Sequence, residues 1–192
     1  MPLTFVPPPE QVWRTYHESL TDLVGPHDPE AQFYHVPVGA LDIEDVAKGA
    51  TLADVRSSGC RILAAWGKFV PGLDGAITSC ELTNPTIYIE AKFRNFVHGD
   101  LPAMAFQRIG EAAGLLPVQT GDFELHFLSI PGIQLQALHL VCDGQGSDMI
   151  LPVLSGDPRL ATDAVLEADE FMALARVIAS ERLALPAEDL SS

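Results

Sequence analysis

The stretch from Phe123 to Leu154 constrains the fold most. Phe123, Leu125 and Phe127 alternate with Glu124 and His126. A period of two puts apolar side chains on one face of a strand and polar ones on the other. Pro131-Gly132 interrupts the run, and a second run extends from Ile133 to Cys142. Asp143-Gly144-Gln145-Gly146 is a strong turn signal. A third short run, Met149 to Leu154, carries Pro152. Proline has no N–H for a sheet ladder, so this strand is expected at an edge or bulged there. The stretch reads as a three-stranded antiparallel meander.

Pairing Ile130 with Ile133 in the first hairpin sets Glu124 opposite His139 and His126 opposite Ala137. Glu124, His126 and His139 then share one face, and a symmetric four-residue loop is expected to give the same register. An odd loop or a bulge separates them, because a one-residue slip turns every side chain to the other face.

The rest of the chain supplies helices and further strands. Pro7-Pro8-Pro9 ends a stiff, proline-rich leader over residues 1–9. Val12, Trp13, Tyr16, Leu20 and Leu23 then recur at helical spacing as far as Gly25-Pro26. Residues 26–58 read as an irregular insertion. It holds a short strand from Phe33 to Val38 and two small helical turns, for which Asp42 and Thr51 are plausible N-caps. Strands are expected over Arg61 to Val70, Ala76 to Leu82 and Thr86 to Phe93. A helix follows from Asp100 to about Ala113, with Ala105, Ile109, Ala112 and Leu116 along one stripe. After the meander, a last helix begins near Thr162-Asp163 and ends near Leu185, with a stripe of Phe171, Leu174, Ile178 and Leu185. Residues 186–192 read as a flexible tail. The expected fold is α+β, a single domain over 1–192, in the order α-βββ-α-βββ-α. Two three-stranded antiparallel sections are flanked by three main helices.

Composition narrows the function. Twenty-six acidic residues against 11 basic ones give a net charge of −15, and the acids are spread along the chain. Nucleic acid is excluded as a partner because phosphate contacts need clustered Lys and Arg. An anionic membrane surface is excluded for the same reason. No apolar run approaches the roughly 18 residues of a membrane span. Cys60, Cys80 and Cys142 are far apart and form no C-x-x-C, which fits a reducing, cytoplasmic compartment.

Glu124, His126 and His139 are the one group whose residue types point to chemistry. Imidazoles with a carboxylate can move protons near neutrality or bind a divalent metal, although alternating polar residues on a strand ordinarily form its solvent face. The spacing matches no metal motif, so no metal or cofactor is assigned. Arg94 and His98 lead into the Asp100 helix and are candidates to bind an anion at its N-terminus. Cys60 follows Ser-Ser-Gly and is placed at an exposed strand start. The turn Asp143 to Asp148 lacks the length and terminal Glu of an EF-hand loop, and no G-x-S-x-G or P-loop is present.

The element order and acidity over residues 61–185 resemble those of small acidic chaperones of type III secretion, which are similar in having helices around an antiparallel sheet and in acting as dimers. The resemblance rests on order and charge and on no motif, and this chain is longer by the region 26–58. It implies a non-enzymatic adaptor or chaperone-like module that binds a protein or its own copy. Trp13, Tyr16, Phe171 and Leu174 are the candidate partner surface. The alternative is a small enzyme or ligand-binding domain that uses the polar face of the meander.

Overall fold

The computed structural model describes residues 3–5, 7, 10–11, 14–15, 18, 32–65, 77–82, 93–98, 100–143 and 146–185, with the backbone alone at 32–33, 57–65, 77–82 and 93–98. It is a mixed α+β structure built on one sheet. The strands are β1 (Leu3–Thr4), β2 (Gln32–Ala40), β3 (Arg56–Ala65), β4 (Ile77–Leu82), β5 (Phe93–His98), β6 (Phe123–Ile130), β7 (Leu135–Cys142), β8 (Met149–Leu154) and β9 (Leu166–Glu167). The α-helices include α1 (Ile43–Ala47), α2 (Asp100–Gly114), α3 (Leu116–Thr120) and α4 (Ala168–Ala184). Glu10, Gln11, Arg14, Thr15 and Glu18 also have helical backbone, whereas Trp13 and Tyr16 lie outside the described residues.

The strand order β5-β4-β3-β2-β6-β7-β8-β9 corrects the expected two three-stranded sections. Each half is antiparallel, but the halves join through a parallel pairing of β2 with β6 that sets Val38 opposite Phe127. The region 26–58 is therefore no insertion, because its residues 32–40 form a nine-residue strand at the centre of the sheet. Nor is the start of the chain only a leader. Leu3 and Thr4 pair in parallel with Phe123 and Glu124, and the Thr4 hydroxyl donates to the Phe123 carbonyl at 2.9 Å. β1 and β2 thus share one edge of β6.

Alternation along the strands makes two cores. Phe123, Leu125, Phe127, Leu138, Leu140 and Leu151 pack under α2 with Ala105, Ile109 and Ala112. On the opposite face Leu128, Ile130, Leu135, Ala137 and Ile150 pack under α4 with Phe171, Met172, Ala175 and Ile178. The buried α4 residues recur at helical spacing, and full burial of a residue such as Phe171 or Ile178 contributes about 1.5–3 kcal/mol. Two expected stripe residues fall outside. Leu116 is 72% exposed because the extended Leu115 breaks the chain away from α2 and Leu116 opens a new short helix, and Leu185 is 48% exposed just past the end of α4. Thr51 stands at the N-cap of its turn and is tied to Asp54, whose carboxylate accepts its N–H at 2.8 Å and its hydroxyl at 2.9 Å, whereas the Asp42 side chain accepts no first-turn N–H. Pro152 sits as expected, beside a register shift and beyond Met149 and Ile150, the β8 residues that β9 covers.

Candidate functional site

The first hairpin closes through a four-residue loop, Pro131 to Gln134, whose last residue takes a left-handed conformation (φ 53°). The loop pairs Ile130 with Leu135, so the register runs two residues beyond the expected one. His126 lies opposite His139, and Glu124 opposite Val141. A shift of two leaves every side chain on its face, and Glu124, His126 and His139 share the α4 side of the sheet beyond the buried Leu128 and Ala137. The two imidazole rings lie 6.1 Å apart, centre to centre.

Each imidazole has its own carboxylate. His126 Nε2 bonds Glu124 Oε1, two residues along the same strand. His139 Nε2 bonds Asp148 Oδ2 at 2.8 Å. The other oxygen of Asp148 accepts the Cys142 N–H at 2.9 Å, and its backbone carbonyl accepts the Ala168 N–H at the start of α4 at 3.0 Å. Asp148 therefore ties the β7–β8 loop to β7 and to α4 at once. The missed residue is Asp148. It belongs to a segment that reads as a turn, and nothing in the local pattern says that the turn folds back onto His139.

His139 is 7% exposed. Burial, which disfavours the charged imidazolium, pushes it below the usual histidine range. The Asp148 hydrogen bond and charge pull the other way, and the His126 charge adds to the lowering. A neutral ring that donates from Nε2 to a carboxylate carries its lone pair on Nδ1, the arrangement of an oriented general base. His126 is more open, with its side chain 30% exposed.

The other candidates stand apart. Arg94 and His98 lie on β5, at the far end of the strand order, with His98 opposite Thr78. Cys60 is in the middle of β3, opposite Pro37 and Leu82, and not at a strand start. Phe171 is 0% exposed, and Leu174 is part-buried against the same core, so Phe171 presents no surface to a partner. Among the described residues no group of three His, Cys, Asp or Glu side chains is placed to hold a metal ion. No described helix is long and apolar enough to cross a membrane.

An open cleft of about 510 Å³ runs along the first two turns of α4, with Asp148 in its lining. No family model, curated protein or solved structure matches the chain.

Proposed function

We propose that the protein binds a small polar molecule at the His126–His139 end of the sheet and exchanges a proton with it. His139 is the base, Asp148 holds its ring, and His126 with Glu124 forms the more exposed second pair. The observation that carries this reading is the double use of Asp148, which fixes a buried neutral imidazole from one side while its other oxygen is anchored by the Cys142 N–H. A solvent-facing histidine needs no such support.

A protein-binding reading has a separate observation behind it. Val177 and Leu183 on α4 are 50% and 49% exposed, so the helix keeps apolar side chains outside the core. On that reading the surface is the outer side of α4 and not Phe171.

Native mass spectrometry of protein isolated from its own host separates the two. A single chain carrying a small molecule, lost in His139→Ala while the circular dichroism spectrum is kept, is the expected result. A chain bound to a second polypeptide, with the same complex formed by His139→Ala, would replace the proton-exchange reading with the protein-binding one.

A further inference from the structure

The two-residue strand β1 lies beside the candidate site. Leu3 and Thr4 pair with Phe123 and Glu124 on the edge of β6 that β2 also uses. The pairing of β2 with β6 begins only at Val38, opposite Phe127. Leu125 and His126 lie between the two stretches, and among the described residues no strand pairs with them on that edge. His126 therefore sits at a gap in the sheet, with its side chain 30% exposed.

Paired residues of neighbouring strands point to the same face. Thr4 thus flanks Glu124 on the α4 side, and Glu124 is the carboxylate that bonds His126. Leu3 points the other way, into the core under α2, where it is buried. The Phe5 ring stacks on Tyr34 of β2 at 4.6 Å between centroids, and Tyr34 meets Phe106 of α2 at 5.2 Å. The Thr4 hydroxyl adds its bond to the Phe123 carbonyl. Of these three residues only Leu3 is fully buried; Phe5 is half-buried and Thr4 exposed. A terminal strand with so few contacts opens at a lower free energy than the central strands of its sheet. β6 does not depend on it, because β7 pairs with β6 from Phe123 to Ile130 on the other edge.

We infer that residues 3–5 form a detachable strap that positions Glu124 against His126, so that this histidine pair is assembled when the strap is seated and loosened when it lifts. Seated, the strap fixes the backbone of Phe123 and Glu124 on the edge away from β7. Lifted, it bares that edge from Phe123 to His126 and leaves Glu124 held through β7 alone. His139 is independent of the strap, since its carboxylate, Asp148, comes from the β7–β8 loop and is anchored by the Cys142 N–H. The strap stands on this geometry. That it regulates proton exchange rests on the function proposed above.

The test is a urea titration of the full chain, followed by NMR at the ring nitrogens of both histidines and at the Phe5–Tyr34 contact. The His126 signal and that contact should change together, at lower urea than the His139 signal. In Leu3→Asp, which sets a charge against the core, the contact should be lost without urea. The His126 ring nitrogens should then shift and its acylation by diethyl pyrocarbonate should quicken at least threefold, while His139 keeps its wild-type signal. Leu3→Ile should behave as wild type. Phe5→Ser removes the Tyr34 stack without charging the core and should move His126 alone, so it decides the matter if Leu3→Asp does not fold. One urea transition shared by Phe5, His126 and His139, or a lost Phe5–Tyr34 contact that leaves His126 unmoved, would overturn the inference. Histidine signals that follow the strap in a chain that carries no small molecule would keep the strap and overturn its regulatory meaning.

Discussion

His139 shows how one buried group makes stability depend on pH. Its folded-state pKa lies below the ordinary histidine value of about 6.5 expected in an unfolded chain. As pH falls through that value, the unfolded chain takes up a proton that the folded chain resists. Stability from this group is therefore full above pH 6.5 and declines as the solution is acidified toward the folded value. The slope from one such group is at most about 1.4 kcal/mol per pH unit. Urea unfolding between pH 7.5 and 5.5 should show this loss, and His139→Gln should flatten it. An equal slope in the two proteins would mean that His139 does not resist protonation. His126, on the same face but more open, shows why two histidines opposite each other are not equivalent. Position in the strand sets the face, while the neighbouring loop sets how much water reaches the ring.

At the scale of elements, the strand β2 and its neighbours position the site. Gly39 lies opposite Leu128 in the parallel pairing of β2 with β6. A β-carbon at Gly39 would fall 2.2 Å from Val55 Cγ1. A branched side chain next to the backbone cannot swing away from such a contact, and overpacking of this kind costs about 1–3 kcal/mol. Gly39→Ala should lower the denaturation midpoint accordingly, and adding Val55→Ala should recover most of the loss. If the double variant is no more stable than the single one, the tight approach is not what requires glycine here. The meander was legible as an element because its alternation runs for whole strands. The role of β2 was not, since its parallel partner lies some 90 residues away and leaves no mark on the local pattern.

For the whole molecule the dominant long-range term is charge. A net charge of −15 on 192 residues makes the compact state repel itself. Local relief exists where Arg159 bonds both Asp157 and Glu181, pinning the loop after β8 to α4, but 11 basic residues cannot offset 26 acidic ones. Sodium chloride raised from 0.02 to 0.5 M shortens the reach of that repulsion. A gain of ~1 kcal/mol would raise the melting temperature by about 2–4 °C for a chain of this size. A melting temperature that falls with salt would show that paired charges outweigh the excess.

Sequence alone determined what depends on neighbours along the chain. It set the α+β class, the three strands of the meander, the excess of acidic charge and the shared face of Glu124, His126 and His139. The last survived an expected register two residues off because side chains in a strand repeat every two residues. Tertiary structure decided what depends on distant segments. It joined the two halves of the sheet through β2 and β6, buried Phe171, turned Leu116 and Leu185 outward and brought Asp148 back to His139. These outcomes depend on which surfaces are left to be covered once the strands have paired, and no local pattern carries that information.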